Sequence, residues 1–368
     1  MQSWSFWEKQ AFDNSDIAIV GAGIVGLFTS LYLKKKFPSK KIMVLDRHSM
    51  AAGASTKNAG FVCFGSVSEI QDDLKSMNKK EVIDLIRMRW EGLKRLRSVL
   101  NDRHIEYINF GAYEVFDTDD DYGQYASQLD FFNEMVEEAC ELRNCFQPIC
   151  AKLSDSLSKN QIYNQYEGQL NPVLLIAELR KMLIQLDVIF LQGAELEDWE
   201  SGDRIKIQLK DKPAIHTRQI VFATNAFTKR FFPDIPLTPY RNQVLITEKI
   251  NGLAIKGCFH YNKGYTYFRN VGSRVLIGGF RNIDLENEQT DSFGLTDNIQ
   301  GALESFISDK LQLKSIIEHR WSGILATGPK KSAIVKKVDD NVFIGVRLGG
   351  MGVAIGSLVG FQLSELID

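Results

Sequence analysis

The sequence predicts an α/β protein with a second, α+β domain, and three observations favour this fold class. The β-branched strand "DIAIV" (Asp16–Val20) runs directly into the glycine loop "GAGIVG", and an apolar helix and a second buried strand follow. Much later, "GYTYFRNVGSRVLIGGF" alternates aromatic and small residues with a period of two, as half-buried strands do. The chain has 368 residues, which is enough for two domains.

The glycine loop lies in a βαβ unit, the context that a dinucleotide-binding site requires. Gly21 permits the tight turn, and Gly23 lets the backbone approach a pyrophosphate. Gly26 lets the helix and strand pack closely. We therefore expect a pyrophosphate at the start of this helix, beside Ile24 and Val25.

An acidic residue closes the second strand of this unit. Asp46 follows "KIMVL" and lies 20 residues after Gly26, where its carboxylate can accept hydrogen bonds from ribose hydroxyls. Such an acid disfavours a 2′-phosphate and hence NADP. It leaves both NAD and FAD open.

Composition excludes several classes of partner. The chain carries 44 basic and 46 acidic residues, a formal net charge of -2, so nothing favours nucleic acid or anionic lipid. The uncharged stretches 17–33 and 348–364 are short and interrupted by glycines, so no integral membrane segment is expected. The charged N-terminus does not resemble a secretory signal. Five cysteines without a CxxC motif predict reduced thiols in the cytoplasm, and no metal site is expected.

Several further segments occur in a characteristic order. They are "GASTKNAGFV" (53–62), "QLNPVLLIAELRKML" (169–183), "QIVFATNAFT" (219–228), "LTPYRNQVLITE" (237–248) and "NVFIGVRLGGMGVAIGSLVGFQLSELI" (341–367). Together with the glycine loop, this ordered set resembles the D-amino-acid-oxidase-like family of FAD-dependent oxidoreductases. That family includes glycine, sarcosine and γ-glutamylputrescine oxidases and several amino-acid dehydrogenases. The resemblance covers roughly residues 16–368.

The resemblance implies a specific architecture. A Rossmann-like FAD-binding domain of the GR2 type would be interleaved with a substrate domain built on an antiparallel sheet. The FAD-binding domain would comprise residues 13–105, 163–232 and 336–368. The substrate domain would comprise residues 106–162 and 233–335.

The resemblance also implies which residues contact the cofactor, which would be FAD held non-covalently. Near the ribose and the flavin ring it places Arg47, Gly53, Ala54, Ser55, Thr56 and Lys57. Leu196 would contact the adenine side through its backbone, and the nucleotide would pack against Ala223, Thr224 and Asn225. The flavin side would be completed by Gly323 and by Gly349, Gly350, Met351, Gly352 and Val353.

Candidates for the substrate side lie in the alternating stretch. Tyr265, Tyr267 and Arg269 are expected on one face of a strand, where the aromatic rings would wall an apolar slot and the arginine would pair with a carboxylate. The alternative is that the rings pack against a helix and the arginine forms a salt bridge. His260, Arg281 and Tyr261 are weaker candidates.

The segment "RWSGILATGPKKSAIV" (320–335) departs from the family pattern. Leu325 occupies the position of the arginine that anchors amino-acid carboxylates in relatives, and Ala326 replaces a proline. The segment contains no cysteine, so a covalent flavin through this loop is not expected. A carboxylate would then be recognised by Arg269, Arg281 or Lys57, or the substrate has no α-carboxylate. Leu276 similarly replaces a lysine that promotes oxygen reaction, which favours a dehydrogenase over a fast oxidase.

The implied function is oxidation of a C–N bond in a small-molecule amine or amino acid. A hydride would pass to flavin N5, the resulting imine would hydrolyse, and oxygen or an unknown carrier would accept the electrons. One alternative is a 2-hydroxy-acid or alcohol dehydrogenase of the same fold, which would need His260 or His319 as a base. The other is a degenerate, non-catalytic flavoprotein.

Overall fold

The computed structural model describes residues 3–49 and 52–368, and all of the following elements belong to these ranges. The α-helices are α1 (Phe6–Phe12), α2 (Ile24–Lys36), α3 (Ala54–Lys57), α4 (Val67–Asp73), α5 (Lys79–Val99), α6 (Asp119–Ala126), α7 (Leu129–Cys140), α8 (Pro172–Gln185), α9 (Leu285–Glu288), α10 (Asp297–Ser305) and α11 (Gly352–Glu365). The strands are β1 (Asn14–Val20), β2 (Ile42–Asp46), β3 (Phe61–Val62), β4 (Ala112–Val115), β5 (Phe146–Cys150), β6 (Asn160–Asn164), β7 (Gly168–Gln169), β8 (Ile189–Gln192), β9 (Leu196–Glu200), β10 (Ile205–Leu209), β11 (Ile215–Phe222), β12 (Thr238–Thr247), β13 (Cys258–Tyr261), β14 (Thr266–Val271), β15 (Arg274–Gly279), β16 (Ile317–Thr327), β17 (Ile334–Asp339) and β18 (Val342–Val346).

The first large sheet contains the predicted βαβ unit. Its strands run in the order β17-β18-β11-β1-β2-β8, and β9 and β10 pair at the beginning of β11. The pairs that link β18, β11, β1, β2 and β8 are all parallel. Carboxyl ends of parallel strands meet at one edge of a sheet, so the segments that follow these strands are brought together.

Helix α2 follows the glycine loop, as the sequence predicted. It begins at Ile24, with Gly23 as its N-cap, and ends at Lys36, shortly before Pro38. Nearly all of its residues from Ile24 to Leu33 are buried, because the sheet covers one side and α11 the other. This double burial explains the lack of charge between residues 17 and 33.

Glycines allow the helices beside this sheet to approach closely. A Cβ added to Gly360 of α11 would lie 2.7 Å from Phe28 Cβ, and one added to Gly356 would lie 2.8 Å from the side chain of Ile24. The glycine-interrupted stretch 348–364 is therefore a packing surface for α2. Among the described residues, no helix is both long and apolar enough to cross a bilayer.

The second large sheet corresponds to the predicted antiparallel unit. Its order is β16-β12-β15-β14-β13-β4-β6-β5, and every pair except β13–β4 is antiparallel. The stretch "YTYFRNVGSRVLIGG" forms the hairpin β14–β15, as its alternation predicted. One face of the sheet packs against α10 through Phe268 and Leu303, and the other faces the first sheet's domain through Val244 and Leu276.

The two sheets agree with the predicted interleaving of two units along the chain. The predicted boundaries between residues remain a proposal. In the structure, β6 runs across the boundary at 162/163, and β17 starts two residues before position 336.

The packing of α5 against α11 yields a test of the fold. A Cβ at Gly92 would lie 2.0 Å from the backbone oxygen of Ala354, and a backbone atom cannot rotate away. We expect Gly92→Ala to lower the free energy of unfolding by about 1–3 kcal/mol. The matched control is Gly123→Ala in α6, where an added Cβ meets nothing within 4 Å. Helix propensity there should leave stability unchanged or raised. Thermal and denaturant unfolding of both variants measure the difference, and equal stabilities would contradict this packing.

Candidate active site

A cavity of about 1470 Å³ lies between the two sheets. One end is formed where β1, β2, β11 and β18 finish, by Gly21, Asp46, Ala223 and Leu348. The opposite wall is the face of the second sheet. The cavity therefore occupies the position at which open parallel sheets bind ligands.

The glycine loop has the geometry that the sequence predicted. Gly21 adopts φ +108°, and a Cβ there would lie 2.8 Å from the carbonyl oxygen of Ala223. A Cβ at Gly26 would lie 2.0 Å from the carbonyl oxygen of Gly21, so Gly26 packs behind the loop and does not line the cavity. Gly23 lines the cavity and leaves the backbone accessible there.

Asp46 fixes the loop and still faces the cavity. Its Oδ2 accepts a hydrogen bond from the Ala22 backbone N–H at 2.9 Å, and its Oδ1 accepts one from the His48 N–H at 3.0 Å. A carboxylate has about four acceptor positions, so capacity remains for ribose hydroxyls. Beside it, the Arg47 guanidinium stacks on Phe227, 4.0 Å from the ring centre.

The short helix α3 contacts both sides of the cavity. Ser55 Oγ accepts a hydrogen bond from the Ile24 N–H at 2.9 Å, at the start of α2. The carbonyl of Lys57 accepts a hydrogen bond from Trp321 Nε1 at 2.9 Å, and Trp321 belongs to β16 of the second sheet. The α3 segment thus joins the glycine loop to the opposite wall.

Two helices begin at this cavity, α2 at Ile24 and α11 at Gly352. Their unpaired N–H groups carry partial positive charge, which favours anions or developing negative charge. A Cβ added to Gly350 or Gly352 meets nothing within 4 Å, so open space lies beside this loop. Asn225 supports the loop, because its Oδ1 accepts a hydrogen bond from the Arg347 N–H at 3.1 Å.

Most residues that the sequence predicted to contact the cofactor line this cavity. They are Gly21, Gly23, Ile24, Val25, Asp46, Arg47, Gly53, Ala54, Ser55, Lys57, Leu196, Ala223, Thr224, Asn225, Gly323, Gly349, Gly350, Met351, Gly352 and Val353. Gly26 and Thr56 are not among the lining residues. A glycine cradle, an acid and two helix N-termini in one cavity fit a dinucleotide with a ribose and a pyrophosphate.

A comparison of the sequence with protein families decides between the dinucleotides. The model of the DAO family, described as FAD dependent oxidoreductase, matches residues 16–366. The chain belongs to this family. The cofactor is therefore FAD, and the resemblance inferred from the ordered motifs is confirmed.

Relatives and solved structures agree with this assignment. The chain is 21% identical over 395 residues to the probable oxidoreductase OrdL of Haemophilus influenzae, covering 100% of this chain and 86% of that protein. L-proline dehydrogenase from P. horikoshii has a TM-score of 0.77 at 17% identity, over 97% of this chain and 94% of that one. Glycine oxidase from Geobacillus kaustophilus has a TM-score of 0.75 at 16% identity, over 96% and 94% respectively. At these identities the structures establish a shared fold.

Tyr267 is the central residue of the cavity wall that the second sheet forms, opposite the glycine loop and Asp46. Its phenol oxygen accepts a hydrogen bond from Asn242 Nδ2 at 2.5 Å, and its ring lies over Gly278, where a Cβ would approach the hydroxyl to 2.6 Å. Burial raises the pKa of Tyr267 to about 12, although the nearby Arg281 charge lowers it. Tyr267 therefore presents a neutral phenol, and Tyr265 lines the cavity beside it.

Arg269 occupies a different place from the one its sequence position suggested. It lies on the same face of β14 as Tyr267 but outside the residues that line the cavity. Its Nη2 donates to the carbonyl of Leu170 at 3.1 Å, and Gly60 covers it, since a Cβ there would lie 3.1 Å from the same nitrogen. This geometry favours neither a substrate carboxylate nor the alternative salt bridge, and instead gives Arg269 a role in holding β14 against Leu170.

His260 lines the cavity but is paired with a buried acid. Its Nε2 lies 3.2 Å from Glu167 Oε2, while Glu167 Oε1 accepts the backbone N–H groups of Phe64 and Gly65 at 2.8 and 3.2 Å. Burial lowers the pKa of His260, but the hydrogen bond and charge of Glu167 outweigh it and raise the pKa to about 9. The imidazole is therefore protonated at neutral pH.

Two further buried groups, the Cys63 thiol and the Glu114 carboxyl, lie near this pair. The thiol of Cys63, the Glu167 carboxylate and His260 come within 4.8 Å of one another, which is the kind of cluster that could hold a metal ion. The hydrogen bonds of Glu167 already account for the cluster as an ion pair beside a thiol. Next to it, Glu114 binds the hydroxyls of Ser66 and Ser68, and burial raises its pKa to about 7.

The remaining candidates are placed as follows. Arg281 and Leu325 line the cavity. Leu276 is buried beside Val244, outside the lining, and His319 stacks on Trp321. Tyr261, also outside the lining, donates to Asp117 at 2.6 Å. No role was predicted for the lining residues Phe61, Phe227 and Asn242, although they lie in the family-like segments 53–62, 219–228 and 237–248. No motif or periodicity pointed to the lining residue Cys63 or to the buried acids Glu114 and Glu167.

The position of Asp46 predicts its effect on cofactor affinity. Asp46→Ala removes the acceptor for two backbone N–H groups and for the ribose, so we expect the Kd for FAD to rise about ten- to hundredfold. Asp16→Ala is the matched control. The Asp16 carboxylate accepts a hydrogen bond from the Lys41 N–H, just before β2 begins, whereas Asp46 is the last residue of β2. Fluorescence titration of the apoproteins with FAD measures both constants. An unchanged Kd for Asp46→Ala would remove Asp46 from the FAD site.

The His260–Glu167 pair predicts a pH dependence of stability. The pKa of His260 is raised on folding, so its contribution is fully present below the unfolded value of about 6.5 and is lost as pH rises through about 9. We expect the thermal midpoint of the FAD-loaded protein to fall between pH 7 and 9. Glu167→Gln should flatten this fall, whereas Glu318→Gln, at an exposed pair with Arg274, should retain it. Identical pH profiles for the two variants would contradict the buried ion pair.

Proposed function

We propose that this FAD-dependent oxidoreductase oxidises the C–N bond of an amine or amino acid. The bound FAD would accept a hydride from the carbon beside the nitrogen, and the imine product would hydrolyse. The observation that carries the proposal is the chemistry of the cavity wall on the second sheet's side. This wall, lined by Asn242, Tyr265, Tyr267 and Arg281, is called the substrate wall from here on. Its central groups are the neutral phenol of Tyr267 and the amide of Asn242, paired with each other.

Such a wall suits an amine better than an alcohol. An amine that binds in its neutral form can lose a hydride without a protein base, whereas oxidation of a hydroxy acid requires a group to take the hydroxyl proton. His260 is already protonated at neutral pH and paired with Glu167, so it is poorly suited to that task. His319 stacks on Trp321 outside the residues that line the cavity. The hydroxy-acid alternative thus receives no support from either histidine.

The chain's own residues would bind and orient the substrate and would exclude water from it. Asn242 fixes the phenol of Tyr267, so that this hydroxyl can donate to a polar substrate group. Phe61 contacts both Tyr267 and His260 edge to face, at 5.3 and 5.6 Å between ring centres. These rings and Leu325 give the substrate end an apolar surface that limits water around the reacting carbon.

We propose that FAD is held non-covalently. Among the described residues that line the cavity, Cys63 is the one cysteine. Burial, followed by the charge of Glu167, raises the pKa of its thiol, so it stays protonated and is a poor nucleophile. The segment 320–335 contains no cysteine. Colour that stayed with the protein after acid precipitation would contradict this proposal.

The names of the structural neighbours support an amine or amino-acid substrate, since they include a proline dehydrogenase and a glycine oxidase. We propose the cytoplasm as the location, because all five cysteines are free thiols, as is usual in a reducing compartment. Oxygen or another carrier would reoxidise the flavin. Leu276, in place of the lysine of some relatives, supports a carrier over fast reaction with oxygen.

An anaerobic substrate panel tests the function. Amines, amino acids and 2-hydroxy acids are mixed separately with the FAD-loaded protein, and loss of the flavin absorbance is followed. We expect amines or amino acids to reduce the flavin, and admission of oxygen then to restore the absorbance only slowly. Reduction by hydroxy acids alone would establish the alternative dehydrogenase. A flavin that none of these compounds reduces would indicate a non-catalytic flavoprotein.

A further inference from the structure

Arg281 is a cation of the substrate wall with no acidic partner among the residues that the structure describes. Within residues 3–49 and 52–368, its guanidinium forms neither an ion pair nor a hydrogen bond. Two neighbouring lysines that line the cavity are neutralised, because Lys263 binds Asp72 at 3.4 Å and Lys331 binds Asp73. The charge of Arg281 is therefore open to a ligand where theirs is not.

The other lining cations that form no ion pair among the described residues lie in different positions. Lys229 and Lys330 are exposed, whereas Arg281 is partly buried. Arg89, on α5, is buried and donates to the Phe64 carbonyl at 3.0 Å. Arg47 stacks on Phe227 beside the ribose end of the cradle. Lys57 belongs to α3, on the cofactor side of the cavity. Arg281 is thus the partly buried cation that lies on the substrate wall itself.

The guanidinium of Arg281 lies beside Tyr265 on the substrate wall. It lies 5.5 Å from the ring centre of Tyr265, in a cation–π arrangement. Tyr267 lines the same cavity, and the charge of Arg281 lowers its pKa against the larger effect of burial. One cation and two phenols therefore line the same part of the cavity.

The segment that carries Arg281 is fixed by contacts on both sides. Before it, Phe280 adopts φ +59° and packs on Phe306 at 5.9 Å between ring centres. After it, the fully buried carboxylate of Glu288 accepts hydrogen bonds from Arg241 at 2.8 and 3.0 Å. These contacts anchor residues 280–288 to β12 and to Phe306, the residue directly after α10. Arg241 is not among the residues that line the cavity, so its pairing with Glu288 holds the segment in place and takes no part in the wall.

We propose that Arg281 is the anchor for a carboxylate of the substrate, which makes the substrate an amino acid in preference to a simple amine. This inference rests on the proposed function and specifies its substrate class. A guanidinium pairs with a carboxylate through two parallel hydrogen bonds, and partial burial strengthens the pairing. The phenols of Tyr265 and Tyr267 can add neutral donors.

The charge of the site favours a carboxylate over a phosphate ester. A single guanidinium with neutral phenols balances one negative charge. A phosphate monoester carries nearly two at neutral pH, and the neighbouring lysines Lys263 and Lys331 are already paired with aspartates. Leu325, on β16, which β12 separates from β15, offers only an apolar contact.

The test separates binding from turnover and uses the FAD-loaded protein. Benzoate, a carboxylate without an oxidisable C–N bond, is titrated while changes in the flavin spectrum are recorded. We expect Arg281→Met to raise the Kd for benzoate about ten- to hundredfold and Arg281→Lys to raise it less. The control is Arg274→Met at the start of β15, the strand that precedes Arg281. Arg274 pairs with Glu318 at 2.6 Å, and the Kd of this variant should match wild type.

Turnover supplies the second readout. Anaerobic reduction is measured for matched pairs, glycine with methylamine and L-proline with pyrrolidine. Arg281→Met should lower kcat/KM at least tenfold for whichever amino acid reduces the wild-type flavin, while any activity on its carboxylate-free partner changes less than twofold. Equal losses on both members of a pair would overturn the anchor.

The remaining outcomes distinguish failure of the anchor from failure of the function. If amines reduce the flavin and Arg281→Met leaves the benzoate Kd unchanged, the anchor is wrong and amine oxidation stands. If no compound reduces the flavin, the proposed function is wrong, and the benzoate titration alone supports or overturns the anchor. If glycerol 3-phosphate binds through Arg281 more tightly than benzoate does, the site is a phosphate site and the carboxylate assignment is wrong.

Discussion

The site depends on the contacts that α3 makes with both sheets. Ser55 accepts a hydrogen bond from the first residue of α2, and the Lys57 carbonyl accepts one from Trp321 of the second sheet. Gly323 allows this approach, because a Cβ there would lie 3.0 Å from Lys57 Cβ. These two hydrogen bonds, with the close approach at Gly323, thus fix the distance between the nucleotide cradle and the substrate wall. Residues on either side can act on one ligand only because this distance is fixed.

The cofactor end could be predicted from the sequence because its determinants are local. A glycine loop between a strand and a helix defines its own geometry, and Asp46 ends the neighbouring parallel strand. The hairpin β14–β15 was equally predictable, since the pleat requires its alternation. In each case, the residues that define the structure are neighbours in the sequence or are joined by a single parallel pairing.

The substrate end was less predictable because its determinants are distant in sequence. The alternation correctly placed Tyr267 and Arg269 on one face of the strand. Only the structure shows that Gly60 and Leu170, which are distant in sequence, cover Arg269. The protonation of His260 likewise depends on Glu167, 93 residues away along the chain. No periodicity in a single sequence reports such a pairing. An arginine or a histidine therefore identifies the available chemistry, while the packing around it decides whether a ligand can reach it.

The placement of charge in the cavity follows the same principle. Buried ions are costly unless paired. His260, which lines the cavity, is paired with Glu167, and Arg241, outside the lining, is paired with Glu288. Both pairs are internal to the protein, so neither leaves a charge for a ligand. Arg281 differs because it is partly exposed to the cavity and stacked on Tyr265, which tolerates a cation without neutralising it. On β16, Leu325 carries no charge. The cation that can meet a substrate is Arg281, in the segment that follows β15, beside Tyr265. The same fold can thus retain an FAD cradle while the recognition of substrate charge moves from one strand to the segment beside another.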